Sequence, residues 1–172
     1  MKNFSIIAAV EKNNGIGKNG VIPWKSPEDM RYFKHITSTT KDENKVNAVI
    51  MGRNTFESLN SKPLNNRLNV VITSKNYDDF EDILAFSDLQ EALEMISENE
   101  YVEDIYVIGG EQLYNEAINL DNCEDIFLNR INTEVECDCF FPEIDLTRYN
   151  HIWDTDANEN LTCMLYKNKE FI

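Results

Sequence analysis

Short apolar runs alternate along this chain with helical patterns, and this alternation restricts the folds open to it. Four runs, at residues 4–10, 47–52, 69–73 and 104–110, are apolar on both sides rather than at every second residue. Strands of this kind lie in the middle of a sheet that helices cover on both faces. We therefore predict an α/β fold with a mostly parallel sheet.

Three further segments are predicted as strands in the C-terminal part of the chain. Residues 125–131, "DIFLNRI", have the apolar and β-branched composition of a strand. Residues 151–153 and 161–167 alternate less cleanly between apolar and polar side chains. These two segments suit an antiparallel pair near an edge of the sheet.

Helix starts are marked by capping residues and by strand ends. Ser26 is a predicted N-cap, because Pro27 follows at the first helical position and Asp29 stands three residues after the serine. Residues 87–90, "SDLQ", repeat the capping-box spacing before "EALEMIS". Two more helices are predicted directly after strands, in "MGRNTFESL" and "IGGEQLYNEAI".

Length and charge limit the class of protein. The 172 residues suit one domain, and no linker or repeat divides them. The 16 basic and 31 acidic side chains give a net charge of -15, which argues against nucleic acid as a partner. An anionic ligand therefore needs a local group of cations or backbone N–H groups. No targeting segment or membrane span is visible, so a soluble cytoplasmic protein is expected.

Two strand-to-helix junctions have glycine at the turn, Gly52 in one and Gly109-Gly110 in the other. A helix start presents unpaired N–H groups, and glycine lets a phosphate approach the backbone closely. Arg53 and Lys75 could add positive charge. The fingerprints G-x-G-x-x-G and G-x-x-x-x-G-K-[ST] are absent. The glycines alone therefore fit both plain turns and a dinucleotide site.

Asp29 is an acid on an apolar helix face. It shares that face with Phe33 and Ile36, at spacings i+4 and i+7, and Met30 stands beside it. One interpretation is a capping box with Ser26. The other is a partly desolvated carboxylate that needs a hydrogen-bonding partner, such as a ligand with N–H groups.

Cysteines and histidines form no convincing metal site or nucleophilic centre. Cys137 and Cys139 would point to one face of a strand, but no second cysteine pair supports metal binding, and neither His35 nor His151 lies near in sequence. There is no G-x-S-x-G motif. We predict reduced thiols and no metal.

Six segments, in order, resemble the dihydrofolate reductase family over nearly the whole chain. They are "IIAAVEKNNGIGKNGVIPW", the acid in "PEDMRYF", "VIMGRNTFESL", "PLNNRLNVVITS", "YVIGGEQLY" and "VECDCFFPEID". The resemblance implies a single domain over residues 1–172, with a mainly parallel eight-stranded sheet, an antiparallel C-terminal edge strand and four flanking helices. It implies NADPH-dependent reduction of 7,8-dihydrofolate to 5,6,7,8-tetrahydrofolate, which supports one-carbon transfer in thymidylate and purine synthesis.

The resemblance implies a substrate site centred on Asp29. This acid would accept hydrogen bonds from N3 and the 2-amino group of the pterin ring. Arg67 matches the arginine that grips the glutamate carboxylate of folate, for which a bidentate guanidinium is suited. Asn129 stands where a threonine usually links the acid to the pterin. The other implied substrate-binding residues are Ile7, Ala8, Met30, Phe33, Leu59, Leu64, Ile108 and Tyr114, the last at the border with the nicotinamide.

The resemblance also implies an NADPH site. Arg53 and Lys75 are the candidates for preferring NADPH over NADH, because a 2′-phosphate attracts cations. The loop 15–24 resembles the mobile lid that closes over the cofactor, and the bond between Gly109 and Gly110 is expected to be cis. The implied cofactor-binding residues are Ala9, Ile16, Gly17, Lys18, Gly52, Arg53, Asn54, Thr55, Thr73, Ser74, Lys75, Gly109, Gly110, Glu111, Gln112 and Leu113.

The implied reaction is hydride transfer from nicotinamide C4 to pterin C6, with a proton delivered to N5 through water. The implied partners are dihydrofolate, as such or polyglutamylated, and antifolates such as methotrexate. A monomer that binds neither nucleic acid nor membrane is expected.

The chain departs from the family pattern at a few positions. Asn129 replaces the threonine, Phe56 replaces a common tryptophan, and Cys137 and Cys139 stand where glycine and threonine are more frequent. Two alternatives stay open: a related reductase of riboflavin synthesis, and a non-catalytic folate- or nucleotide-binding protein. Asp29 with Phe33 and Arg67 favours folate.

Overall fold

The structure is a computed structural model that describes residues 1–75 and 80–172. These described residues form an eight-stranded sheet, a separate two-stranded sheet and four α-helices. The strands are β1 (Phe4–Val10), β2 (Gly15–Gly17), β3 (Val46–Gly52), β4 (Arg67–Ile72), β5 (Ile83–Phe86), β6 (Val102–Gly109), β7 (Cys123–Ile131), β8 (Cys139–Phe140), β9 (Tyr149–Asn158) and β10 (Leu161–Asn168). The helices are α1 (Pro27–Ser38), α2 (Arg53–Ser58), α3 (Leu89–Ser97) and α4 (Glu111–Ala117), with a 3-10 turn at Lys169–Phe171.

The large sheet has the strand order β5-β4-β3-β6-β1-β7-β10-β9. In this spatial order the first six strands, β5, β4, β3, β6, β1 and β7, are parallel to one another. Strand β10 is antiparallel to both of its neighbours, β7 and β9. The predicted α/β fold, with a mainly parallel eight-stranded sheet and an antiparallel C-terminal strand, is confirmed. The C-terminal strand lies one place in from the edge, because β9 forms the outermost strand.

The central strands are buried on both faces. In β1, Ile6 and Ala8 belong to one apolar cluster, whereas Ile7 belongs to a second cluster. In β3, Ile50 and Val49 divide in the same way. Successive side chains of a strand point to opposite faces, so each strand contributes to both clusters. This arrangement explains why these runs are apolar throughout.

The helix starts follow the predicted capping residues, with one correction. The Ser26 side chain accepts a hydrogen bond from the Asp29 N–H at 3.2 Å, as the N-cap prediction requires. Before α3, however, the N-cap is Asp88, which accepts from the Glu91 N–H at 2.7 Å. The prediction of Ser87 as the cap was therefore wrong by one residue, because the carboxylate of Asp88 satisfies the free N–H group.

Three short strands were not predicted. Strand β5 has four residues at an edge of the sheet, and two of them are exposed, so it lacks a long apolar run. Strands β2 and β8 contain three and two residues and pair only with each other. In the described part of the chain, no helix is long and apolar enough to cross a membrane.

Candidate active site

Asp29 has two separate hydrogen-bonding roles at the start of α1. Its backbone N–H completes the cap on Ser26. Its carboxylate instead faces β7, where Oδ1 accepts a hydrogen bond from Nδ2 of Asn129 at 2.8 Å. The predicted N-cap is confirmed by the hydrogen bond from the Asp29 N–H to Ser26, whereas a ligand-binding role of the Asp29 carboxylate stays a prediction.

The electrostatics of Asp29 are those of a partly desolvated acid. Burial raises the pKa of its carboxyl, and the hydrogen bond from Asn129 lowers it in part. Burial likewise raises the pKa of the Tyr32 hydroxyl to about 12, with smaller contributions from Cys163 and from Asp29 itself. A carboxylate in such a setting is stabilised by each further N–H donor that a ligand supplies.

Asn129 orients this acid from the middle of the sheet. It lies in β7 opposite Ala9 of β1 and Cys163 of β10, and only 1% of it is exposed. Its Nδ2 donates to Asp29, and its Oδ1 has no hydrogen-bond partner among the described residues. The amide of Asn129 therefore reaches the acid directly.

An apolar surface lies on the same side of the sheet as α1. Ile7 is buried there, and partly buried side chains from α1, the α2–β4 connection and β6 pack against the same cluster. Five of the eight apolar and aromatic substrate-binding residues predicted from the sequence thus come together: Ile7, Phe33, Leu59, Leu64 and Ile108. Tyr32, Ile36 and Phe127 join them.

The other three predicted side chains lie elsewhere. Ala8 and Tyr114 belong to the cluster on the opposite side of the sheet, and Met30 is 68% exposed. Tyr114 still reaches the site, because its hydroxyl donates to the Ile7 carbonyl at 2.8 Å, and burial raises its pKa with a smaller contribution from Asp29. Ligand contacts of these three residues stay predictions.

Arg67 is a half-buried cation with neutral partners. Its Nη1 donates to Thr37 Oγ1 and its Nε donates to the Asn65 carbonyl, both at 2.9 Å. Burial lowers the pKa of the guanidinium. Within residues 1–75 and 80–172 it forms no ion pair with a carboxylate. The guanidinium thus keeps its charge available for an anionic group of a ligand.

The two glycine junctions lie side by side at the carboxyl ends of β3 and β6. A Cβ atom at Gly52 would stand 3.9 Å from the carbonyl oxygen of Gly109 and from the nitrogen of Gly110. The peptide bond between Gly109 and Gly110 is cis, as expected, and Gly109 has φ +131, which a side chain would strain. Thr55 Oγ1 lies 3.4 Å from where a Cβ of residue 110 would be.

The predicted cofactor-binding cations have side chains that reach the surface. Nε of Arg53 lies 3.8 Å from Oε1 of Glu57, and Nζ of Lys18 lies 2.8 Å from Oε1 of Glu136. Such ion pairs at the surface are weak, so a phosphate group of a ligand can take the place of the glutamate. The Lys75 N–H donates to Thr73 Oγ1 at 3.0 Å, and its side chain is exposed.

The remaining predicted cofactor residues divide by exposure. Leu113 is buried in the core, so only its backbone can face a ligand, and Glu111 accepts a hydrogen bond from the Phe140 N–H at 3.3 Å. Ala9, Ile16, Gly17 and Thr73 are partly buried, while Asn54, Ser74 and Gln112 are exposed.

Sequence reasoning missed Tyr32, which lies near Asp29, and the burial of Glu11, which lies outside the site. Tyr32 stands three positions after Asp29, so the helical spacing alone could have placed the two side chains together. Glu11 is fully buried, although it is charged and lies where an apolar strand passes into a polar turn. No local sequence pattern indicates this burial.

These features define a class of α/β protein in which ligands bind outside the carboxyl ends of adjacent parallel strands. Asn129, Ala9, Gly52 and Gly109 all lie near the carboxyl ends of four neighbouring strands, β7, β1, β3 and β6. The family model described as "Dihydrofolate reductase" matches residues 3–168. The chain belongs to the dihydrofolate reductase family, as its sequence motifs predicted.

Known relatives agree with this assignment. A "Dihydrofolate reductase" of Heliothis virescens is 40% identical over 160 residues, which cover 89% of this chain and 85% of that protein. The "Dihydrofolate reductase" of Aedes albopictus is 40% identical over 153 residues, covering 84% and 81%. "Bifunctional dihydrofolate reductase-thymidylate synthase 1" of Arabidopsis thaliana is 41% identical over 156 residues, covering 86% of this chain. The chain spans 30% of the length of that bifunctional relative.

Proposed function

We propose that this chain catalyses the reduction of 7,8-dihydrofolate to 5,6,7,8-tetrahydrofolate with NADPH as reductant. The observation that carries the proposal is the Asp29 carboxyl, held by Asn129 at 2.8 Å in a partly desolvated position on the side of the sheet lined by the Ile7 cluster. Such a carboxylate has acceptor capacity left for the N3–H and the 2-amino group of a pterin.

The rest of the substrate would be bound by contacts of two kinds. Phe33, Leu59 and Ile108 offer partly buried apolar surface to the flat ring and to the aminobenzoate. Arg67 offers a guanidinium without a carboxylate partner in the described structure to the glutamate of folate. A hydrophobic body bound between an acid and a cation matches the chemistry of folate from end to end.

The described residues fit a dinucleotide. Gly52, Gly109 and Gly110 carry no side chain of their own where the two junctions lie side by side, so a pyrophosphate could approach their backbone. Arg53 and Lys75 are the cations we assign to a 2′-phosphate, and hence to NADPH rather than NADH. When bound, NADPH would supply the hydride that is accepted at pterin C6.

The protein's own contribution is binding, orientation and exclusion of water. Asp29 would orient the ring and polarise it from the side remote from N5, so the N5 proton comes through water. Loop residues Ile16 and Gly17, with Ala9 of β1, would border the nicotinamide and keep bulk water from the reacting carbons.

A direct assay tests the proposal. Purified protein mixed with dihydrofolate and NADPH is expected to consume NADPH, seen as falling absorbance at about 340 nm. Parallel reactions contain NADH, or a pyrimidine substrate of the riboflavin pathway in place of dihydrofolate. Turnover of the pyrimidine alone would favour the related reductase. Tight binding of folate and NADPH without turnover would favour a non-catalytic binding protein.

Methotrexate gives an independent prediction that needs no turnover. Its 2,4-diaminopteridine ring should bind at Asp29, so at a concentration 100 times Kd it should stabilise the fold by about 2.7 kcal/mol. For a chain of this size that corresponds to a rise in Tm of about 5–10 °C. Differential scanning fluorimetry measures it. An Asp29→Ala variant is the control and should show a much smaller rise, whereas equal shifts in both proteins would place the drug elsewhere.

We further propose that the protein works in the cytoplasm as a monomer, with dihydrofolate and its polyglutamylated forms as substrates and a role in one-carbon metabolism. Size-exclusion chromatography coupled to light scattering tests the oligomeric state of the 20.0 kDa chain.

A further inference from the structure

Glu11 is a buried acid outside the site described above. It follows the last residue of β1, is 0% exposed, and is the one fully buried acidic side chain among residues 1–75 and 80–172. A buried carboxylate is strongly disfavoured unless hydrogen bonds replace its hydration. Its partners therefore indicate what it does.

Every described side-chain partner of Glu11 is a backbone N–H. Oε1 accepts from Asn13 N–H at 2.7 Å and from Gly15 N–H at 2.8 Å, and Oε2 accepts from Val135 N–H at 3.4 Å. The main chain adds a hydrogen bond from Glu11 N–H to the Gly15 carbonyl at 3.0 Å. One side chain thus connects the end of β1, the start of the loop 15–24, and the segment before β8.

Gly15 is closely enclosed at this junction. A Cβ atom at residue 15 would stand 2.4 Å from Sγ of Cys137 and 3.0 Å from Oε1 of Glu11. Cys137 therefore packs directly against the Gly15 backbone, and the carboxylate holds the same residue from its N–H. The first residue of the loop 15–24 is held from both sides.

We propose that Glu11 is a positioning residue that sets the place of the loop 15–24 by holding its first amide. This inference rests on the proposed function in one respect, that the loop covers the cofactor. With Glu11 intact, β2 begins at Gly15 in a defined position, and Gly15 and Gly17 pair with β8. Without it, binding of the cofactor has to order the loop as well, which lowers the affinity for the cofactor but not for the pterin.

A carboxylate suits this role better than its nearest substitutes. Glutamine keeps one oxygen for the N–H groups of Asn13 and Gly15, but it would place its own amide N–H groups against the Val135 N–H. Aspartate is one methylene shorter and so reaches less far toward these donors. Alanine leaves the three N–H groups without this acceptor. We therefore expect the loss of order in the loop 15–24 to be larger in Glu11→Ala than in Glu11→Gln. Both variants remove the same charge, so an effect of net charge alone would be equal in the two.

Hydrogen exchange of individual amides tests the proposal without any turnover. In Glu11→Ala the amide of Gly15 should exchange about 10 to 100 times faster than in the wild type, as expected for a lost hydrogen bond to a charged group. The amides of Val70 and Val107 in the central sheet serve as internal references. Glu11→Gln should show a smaller increase at the same residue.

Ligand binding supplies the functional readout. If the ordered loop falls to about one fifth of the molecules, the Kd for NADPH rises about fivefold. The Kd for folate should stay within about twofold, because Glu11 touches none of the residues assigned to the pterin. Fluorescence titration of the full chain measures both constants.

Two control variants separate positioning from general loss of stability. Ile96→Ala removes a buried side chain of α3 and should lower Tm without selective exchange at Gly15. Glu134→Gln neutralises an exposed acid in the segment before β8. It should change neither the exchange rate of the Gly15 amide nor the Kd for NADPH. The proposal is wrong if Gly15 exchanges no faster in the Glu11 variants than in Ile96→Ala, or if NADPH and folate lose affinity equally. Should Glu11→Ala not fold, Glu11→Gln decides by the same criteria.

The outcome is separable from that of the proposed function. If the wild type does not reduce dihydrofolate, the proposed function fails, but exchange at Gly15 and the affinity for NADPH still decide whether Glu11 positions the loop.

Discussion

The Asp29→Asn variant is expected to lose about 100-fold or more of kcat/KM for dihydrofolate at neutral pH, while its Kd for NADPH stays within about twofold. The amide keeps the shape of the acid and an oxygen for the hydrogen bond from Asn129. It cannot supply the negative charge that, in the proposed mechanism, polarises the pterin. A 100-fold loss corresponds to about 2.7 kcal/mol of transition-state stabilisation. Steady-state kinetics at several pH values measure it, and activity should recover toward low pH, where the substrate protonates in solution.

The same substitution should leave the fold intact. The cap of α1 uses the backbone N–H of residue 29, which the variant keeps. Burial raises the pKa of Asp29 in the folded state, so its contribution to stability is present at low pH and is lost as pH rises through that pKa. Removing the charge should therefore leave the Tm of Asp29→Asn at pH 7 equal to or higher than that of the wild type. Any difference in Tm between the two proteins should shrink at low pH.

A neighbouring acid provides the matched control for Asp29. Glu28→Gln changes an exposed carboxylate on the same helix, and we expect almost unchanged kinetics. Unfolding of Asp29→Asn would contradict the assignment, because it would show that the acid acts mainly in the structure.

The Arg67→Leu variant is expected to raise KM for dihydrofolate about 10 to 100 times with little change in kcat. The guanidinium has neutral partners in Thr37 and Asn65, so it retains its charge for the glutamate of the substrate. In the proposed binding mode the glutamate would contact Arg67 away from the reacting ring, so ground state and transition state should lose this contact equally. Initial rates over a range of dihydrofolate concentrations separate KM from kcat.

Dihydropteroate, which lacks the glutamate, distinguishes this role from a structural one. Its KM should be nearly the same in the wild type and in Arg67→Leu. The exposed Arg31→Leu controls for loss of positive charge. If Arg67→Leu weakened dihydropteroate as much as dihydrofolate, the arginine would act by supporting the fold around Thr37.

Local patterns identified the centre of the fold and the acid of the candidate site. Strand β1 was predicted with its observed limits, because a strand buried on both faces is apolar throughout. The start of α1 followed from Ser26 and Pro27, since caps act within one turn. Asp29 stood out because a carboxylate on an apolar face is costly without a partner.

Contacts between distant parts of the chain were beyond these patterns. Asn129 and Asp29 are 100 residues apart, and their contact depends on the register of β7 with β1. Family resemblance placed Asn129 at the site, but its direct hydrogen bond to the acid came from the fold.

The sequence by itself determined the central strands, the start of α1 and Asp29 as the candidate acid, because each depends on neighbours within a turn or a pleat. Only the tertiary structure decided that Glu11 is buried, that Gly15 is enclosed by Cys137, and that Met30 is exposed. Burial and pairing of these groups are set by which segments meet in space, and the free energy of a polar group depends on the partners it finds there.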